Sequence, residues 1–197
     1  MVLGFVGATR RMVDTVRRRR RGPELAGARR LLGRARRELG AGCATHILYG
    51  GLMAVRKDFQ RARLQWDTQL VVKTEEQTLE VAQSCRAAWS GAAEAALRAV
   101  GVEVVRGVNA ELNVGYVVCA QSGIEWEGLA WPLTVVWVRE TPLKGKRVGQ
   151  TEQFCVLSTD ETLRAKQMRE LAHIRWSVEN QGFKTLNAGG GQQTGVT

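Results

Sequence analysis

The sequence is poor in several residue types that mark particular classes of protein. It contains two histidines, four cysteines and three prolines among 197 residues. The cysteines, at positions 43, 85, 119 and 155, stand far apart, without a CxxC pair or a histidine at ligand spacing. This spacing argues against a structural zinc site and offers no disulfide framework. We therefore expect reduced thiols, as in a cytoplasmic protein.

Long apolar segments are also missing. No apolar run approaches the roughly 18 residues that a membrane-spanning helix needs. The opening MVLGFVGATRRM places its charges after a short apolar stretch, which is the reverse of a secretory signal. No glycine pattern of the Walker or dinucleotide-binding type occurs. These features predict a cytoplasmic location and no membrane partner.

The N-terminal part of the chain has little negative charge. Residues 1–40 contain 12 arginines and three acidic residues, a net charge of +9, whereas the remaining 17 basic and 16 acidic residues add only +1. Such a block suits a polyanion, most simply nucleic-acid phosphate, through counterion release. A coding bias is an equally good explanation, since arginine outnumbers lysine by 23 to 6. The candidate phosphate contacts in this block are Arg17, Arg18, Arg19, Arg20 and Arg21.

Apolar periodicity predicts alternating helices and strands in the first half of the chain. A helical pattern covers residues 22–42, and a short apolar run at 45–51 predicts a buried strand. A second helix is expected at 53–64, a second strand at 68–74 and a long helix at 76–100. This order favours a layered α/β core with parallel neighbouring strands.

The pattern changes after residue 100. Short β-rich runs separated by glycine, proline and asparagine predict an antiparallel meander over 101–158, with its tryptophans in the core. In STDE, Ser158 and Glu161 have the spacing of a capping box and predict the start of a last helix. A basic turn inside the meander is a solvated loop or a nucleic-acid contact. Its candidate residues are Lys144, Lys146 and Arg147.

The last helix carries an unusual pair of charges. Its leucines, isoleucine and valine between 163 and 178 define an expected buried face on a helical wheel. Arg175 and Glu179, one turn apart, fall at the rim of that face. The rim position favours a carboxylate held against the core. An ordinary helix ion pair without any site is the alternative.

The segment RWSVENQGFKTL resembles the closing signature of the DDE transposases of bacterial insertion sequences, in the branch with a β-rich insertion before the last helix. In that family an RNase H-like core holds two divalent metals, Mg²⁺ or Mn²⁺, on three carboxylates. The resemblance assigns the third carboxylate to Glu179, the arginine before it to Arg175 and a loosely placed basic residue to Lys184. It implies DNA as the partner.

The resemblance continues upstream, with two losses. GPELAGARRLLGRARRELG resembles the helix before the second catalytic aspartate, and HILYGGLMAVRKDFQRARLQWDTQLVVKT resembles the strand, turn, helix and strand that follow. Gly50 then occupies the aspartate position, and Ala172 stands where the signature has tyrosine. No counterpart of the first aspartate is expected in residues 1–21, because Asp14 lies in an arginine-rich context without strand character.

The fold implied by the resemblance is α/β, a partial RNase H-like core with an inserted antiparallel β sub-domain. The predicted organisation is a flexible basic arm at 1–21, the first part of the core at 22–100, the insertion at 101–158, the helix with the glutamate signature at 159–187 and a flexible tail at 188–197.

Two of the three metal-binding carboxylates are therefore replaced. Glu179 alone would hold a divalent ion weakly, because Mg²⁺ requires several oxygen ligands and two-metal chemistry requires shared carboxylates. The sequence predicts a truncated, catalytically inactive member of the transposase family. Residual activity and a homodimeric assembly stay open. The competing interpretation is a non-catalytic nucleic-acid-binding protein that acts through its arginine-rich arm.

Overall fold

The chain divides into two compact units in the computed structural model. One unit comprises Met1–Cys43 with His173–Thr197, and the other comprises Ala44–Ala172. The structure describes residues 2–4, 12–15, 26, 29–30, 46–50, 55–65, 67–74 and 79–174.

The smaller unit contains a pair of short antiparallel strands. Strand β1 (Val2–Gly4) pairs with β2 (Met12–Thr15). Asp14 lies in β2 opposite Leu3, so the expectation that this aspartate lacks strand character is wrong. Main-chain pairing with β1 decides the conformation here, because backbone hydrogen bonds form regardless of the arginines nearby. The arginines at 17–21 lie outside the described residues.

The larger unit is built on one mixed sheet of six strands in the order β3-β4-β8-β7-β6-β5. The strand bounds are β3 His46–Gly50, β4 Gln69–Thr74, β5 Glu103–Asn109, β6 Val114–Ile124, β7 Leu133–Pro142 and β8 Glu152–Ser158. Strands β3 and β4 are parallel, and every other neighbouring pair is antiparallel. The predicted meander is confirmed, and pairing of β4 with β8 joins it to the parallel strands. The α/β class is confirmed as well.

The central strands are covered on both faces. In β7 every residue from Leu133 to Val138 is buried, a run without polar alternation. Such runs are typical of strands that are packed on two sides, where β-branched residues fit the pleated surface well. The composition of this segment, LTVVWV, is therefore typical of a buried strand.

In the described part of the larger unit, four helices accompany the sheet. Helix α1 spans Arg56–Leu64, α2 spans Glu80–Trp89, α3 spans Glu94–Ala99, and α4 is described over residues 165–174. No helix among the described residues is long and apolar enough to cross a bilayer.

The prediction of a single helix over 76–100 is wrong, because the helical conformation is interrupted between α2 and α3. Ser90 adopts an extended conformation with ψ 118°, and Gly91 has φ +81°. Glycine reaches this left-handed conformation without a side-chain clash and commonly ends a helix there.

The start of α4 also differs from the prediction. Ser158 is the last residue of β8, and its hydroxyl accepts a hydrogen bond of 2.9 Å from the Asp160 backbone N–H. Helix α4 begins further along the chain, where the Glu103 carboxylate accepts a hydrogen bond of 3.2 Å from the Ala165 N–H. The proposed capping box of Ser158 and Glu161 is therefore wrong, because the sheet incorporates Ser158.

Helix α4 packs on one face of the sheet through small and flexible side chains. The residues that it buries against the valines of β6, β7 and β8 include Ala165, Met168 and Ala172. Leu171 and Ile174, which the helical wheel predicts on the buried face, are only half-buried, and Leu171 packs against the edge of this core. The observed buried face therefore lies on a different side of the helix from the predicted one. Alanines let the helix approach the sheet closely, and the larger apolar residues then lie at the flanks of the contact.

Helices α1, α2 and α3 pack against β4, β7 and β5, respectively. Phe59 of α1 is fully buried, and its ring contacts Trp126 edge-on with a centroid distance of 5.6 Å. Trp126 and Trp137 are buried, which confirms their expected place in the core, whereas Trp131 is half-buried.

Candidate functional site

The end of β3 is the position that the sequence marks most clearly. Gly50 is the last residue of β3 and lies opposite Lys73 of β4, which in turn lies opposite Val156 of β8. Residues directly opposite one another in a sheet project to the same face. Val156 belongs to the core under α4, so position 50 faces the α4 side. Ligands of α/β sheets commonly bind beyond the carboxyl ends of parallel strands.

The side chain beside Gly50 is a cation. The Lys73 ammonium lies 4.4 Å from the centroid of the Phe154 ring, within the range of a cation–π interaction. A positive charge at this position opposes the binding of a divalent metal ion nearby.

A buried ion pair fastens α4 to the sheet on the same face. Nη2 of Arg169 lies 2.6 Å from Oε1 of Glu140, and the two side chains are 3% and 8% exposed. The Arg169 guanidinium also stands 4.0 Å from the centroid of the Tyr116 ring. The Nε and Nη2 atoms of Arg169 make no well-aligned hydrogen bond despite the short contact. Charge attraction and ring stacking, more than hydrogen-bond geometry, hold this arginine.

Most of the predicted site residues lie outside the part of the chain that the structure describes. Glu179, Arg175, Lys184 and the arginines at 17–21 lie outside the described residues. The basic turn lies between β7 and β8, where Lys144, Lys146 and Arg147 are exposed. Arg147 makes an ion pair with Glu152 across this turn. The turn is solvated, and its use as a nucleic-acid contact stays a prediction.

The described residues contain no group of three or more histidine, cysteine or acidic side chains that could hold a metal ion. Cys85, Cys119 and Cys155 are buried free thiols. Burial raises the pKa of Cys85 and of Cys155 to about 11. These two thiols are therefore protonated at neutral pH, which makes them poor nucleophiles and poor metal ligands.

A polar cluster joins the start of β3 to the segment after β8, and sequence reasoning missed it. Nε2 of His46 lies 2.8 Å from Oδ2 of Asp160. The other carboxylate oxygen, Oδ1, accepts hydrogen bonds from the Thr162 N–H at 2.8 Å and from the Thr162 hydroxyl at 2.6 Å. The aspartate turn has a local signature in the spacing of Asp160 and Thr162. The histidine partner has none, because it is 114 residues away.

Asp160→Asn is expected to lower the free energy of unfolding by about 1–2 kcal/mol near neutral pH, because it removes a charge-assisted partner of His46. Desolvation raises the pKa of Asp160, but the hydrogen bonds from Thr162 and His46 together outweigh it and lower the pKa below 3.8. A carboxyl group with a lowered folded-state pKa stabilises the fold above its unfolded pKa and loses that contribution as pH falls.

The difference between the parent and Asp160→Asn proteins should therefore shrink as pH falls below 3.8 and through the folded-state pKa. Urea unfolding of both proteins across this range measures it. A difference that does not vary with pH would show that the carboxylate charge contributes nothing.

The chain was compared with protein-family models and with curated proteins. No protein-family model matches the chain, and a search of curated proteins finds no match.

Proposed function

We propose that this chain is a transposase-family protein with an RNase H-like core, and that it binds DNA without cutting it. The observation that carries the proposal is the parallel unit of β3, α1 and β4, in which β3 ends at Gly50 on the sheet face covered by α4. In the DDE transposases that the sequence resembles, this strand end holds a catalytic aspartate and the last helix holds the glutamate.

Two contacts with the sheet define the direction of α4. Ala165 hydrogen-bonds to Glu103 at the first residue of β5, and Arg169 contacts Glu140 near the end of β7. The pairing pattern makes β3, β4, β5 and β7 run in one direction. Helix α4 therefore runs in this direction as well, and it begins level with the cross-strand row that contains both Gly50 and Glu103.

The described part of α4 buries alanines at a seven-residue interval. Ala165 and Ala172 face the sheet and are seven residues apart, close to two helical turns. Position 179 follows at the same interval. Glu179 itself lies outside the described residues.

The chemistry around Gly50 supports the loss of cutting activity. Glycine has no oxygen ligand to offer, and its neighbour on β4 is the ammonium of Lys73. Two-metal strand cleavage needs carboxylates that are shared between ions about 3.5–4 Å apart. A single remaining glutamate does not provide this arrangement.

A cleavage assay tests the inactive state. The parent protein and Glu179→Gln are incubated with supercoiled plasmid and either Mg²⁺ or Mn²⁺, and nicked and linear products are measured. Both proteins should give the background level of cleavage. Robust turnover by the parent protein that Glu179→Gln abolishes would contradict the proposal.

A salt titration of DNA binding separates this proposal from the alternative, in which the arginine-rich arm acts alone. Replacing the arginines at 17–21 with glutamine should lower the slope of log affinity against log salt by roughly four to five, about 0.9 per lost phosphate contact. Substitution is preferable to deletion, because residues 1–21 include β1 and β2.

The remaining binding decides between the two functions. Salt-dependent binding that survives the five substitutions and falls in Lys144→Gln/Lys146→Gln supports the transposase-like core as a DNA-binding surface. Complete loss of binding with the five substitutions, with no effect of the lysine changes, assigns all binding to the arm. Fluorescence anisotropy with a labelled duplex measures both.

A further inference from the structure

A cavity of about 260 Å³ opens on β5, β6 and β7 at a place that the proposed function does not use. Arg106, Val117 and Arg139 lie side by side across the three strands and line it. The next cross-strand row contributes Gly115 and Thr141. Opposed residues share a face, so the two arginines flank the valine on one surface of the sheet.

This surface is not the one that α4 covers. Tyr116 and Glu140, which pair with each other in the sheet, turn toward Arg169 of α4. Val117 and Arg139 are their next neighbours along β6 and β7, and successive residues of a strand point to opposite faces. Most residues that line the cavity therefore lie on the face opposite α4, whereas Gly107 and Tyr116, which also line it, belong to the row that faces α4.

The cavity has an excess of positive charge. Glu94 accepts hydrogen bonds from Arg98 at 2.9 Å and from Arg106 at 3.0 Å. These hydrogen bonds lower the pKa of Glu94, which therefore stays ionised. The two arginines that line the cavity, Arg106 and Arg139, carry a charge of +2, and the charges of Arg98 and Glu94 beside them cancel.

Arg139 is held in place but has donor capacity left. Its guanidinium carbon lies 5.4 Å from the centroid of the Trp137 ring, and its Nε is buried without a hydrogen-bond partner. The Nη groups of the guanidinium are therefore the donors that Arg139 can offer to a ligand. The Thr141 hydroxyl is already engaged with Thr151 at 3.0 Å, so the arginines are the main donors available to a ligand.

We propose that this cavity binds a phosphoryl dianion, either free phosphate or the phosphate of a small monoester, between Arg106 and Arg139. A tetrahedral dianion presents oxygens to both guanidinium groups at once, whereas one arginine satisfies a carboxylate. Its charge of about −2 balances the local excess. Val117 and Gly115 provide an apolar floor beside the phosphate. The proposal is independent of transposase membership, because it concerns a small ligand on the opposite face from α4.

Calorimetric titration with inorganic phosphate and with phenyl phosphate tests the site. Arg139→Met should weaken the binding of both by at least about tenfold, since it removes charge-assisted hydrogen bonds. Arg106→Gln should do the same, and this residue is 62% exposed, so its replacement leaves the core intact. Arg164→Met, which removes an exposed arginine outside the cavity, is the matched control and should bind as the parent protein does.

A substitution that narrows the cavity without changing its charge distinguishes free phosphate from a phosphate monoester as the ligand. A Cβ at Gly115 would meet Leu143 Cδ2 at 3.5 Å, an ordinary contact, so Gly115→Leu extends into the cavity without a backbone clash. Loss of phenyl phosphate with retention of inorganic phosphate indicates a monoester site, and equal affinity for both ligands in the parent protein indicates a free-phosphate site.

Two results would overturn the proposal. One is equal phosphate affinity in the parent protein, Arg139→Met and Arg106→Gln. The other is a loss of duplex-DNA affinity in these variants without any loss of phosphate affinity, which would make the arginines part of a nucleic-acid surface. Neither result depends on the outcome of the cleavage assay.

Discussion

Arg169→Met should lower the free energy of unfolding by about 3–5 kcal/mol, because it leaves the buried Glu140 carboxylate without its cationic partner. The pair is among the least exposed charged groups of the described residues, at 3% and 8% side-chain exposure. The substitution also removes the guanidinium from the face of Tyr116. Helix α4 is attached to β7 through this pair, so its docking should weaken with it. Urea unfolding gives the measurement.

Two companion variants identify the cause of the loss. Lys166→Met on the same helix breaks an exposed pair with Glu170, whose side chains are 64% and 52% exposed, and should change stability by less than about 1 kcal/mol. Arg169→Met/Glu140→Leu removes both buried charges and should recover most of the stability. An equal loss in the double variant would show that packing, and not the unpaired carboxylate, explains the effect.

Phe59→Ala should cost about 3–5 kcal/mol, the usual range for removing a buried aromatic side chain. Phe59 is 0% exposed and makes an edge-on contact with Trp126. Helix α1 connects β3 to β4, so the packing of Phe59 helps to hold the parallel pair that ends at Gly50. Thermal and urea unfolding both report this change.

Leu64→Ala is the control for Phe59→Ala. Leu64 ends the same helix but is 73% exposed, and its truncation should change stability by no more than about 0.5 kcal/mol. Similar losses for the two variants would mean that α1 is not held to the sheet by the face that contains Phe59.

The strands were the most predictable part of this fold. β-branched runs around Val71 and Val136 are recognisable without a structure, because residues packed on both faces of a sheet cannot alternate with polar ones. The prediction of one helix over 76–100 failed at Gly91, where a single residue in the left-handed conformation ends the helix despite a favourable helical composition. The buried face of α4 failed because alanines, which score weakly as apolar residues, set the distance between helix and sheet.

Some residues of the candidate site could likewise be predicted from the sequence, and others could not. Gly50 could be singled out from its motif, and its place at the end of a parallel strand follows from the order of helix and strand. Arg169 and Glu140 could not be paired in advance, since both read as surface residues in the sequence. The same holds for Arg106 and Arg139, which meet only because two hairpins place β5 and β7 on either side of β6.

The sequence by itself determined the α/β composition, the meander after residue 100 and the concentration of arginine before residue 40, because these depend on local residue types. Only the tertiary structure decided which charged side chains are buried and which of them form ion pairs. The pairs of Arg169 with Glu140 and of His46 with Asp160 join segments that are far apart in the chain. Their energies depend on burial and on distances of a few ångströms, and neither quantity is set until the sheet has assembled.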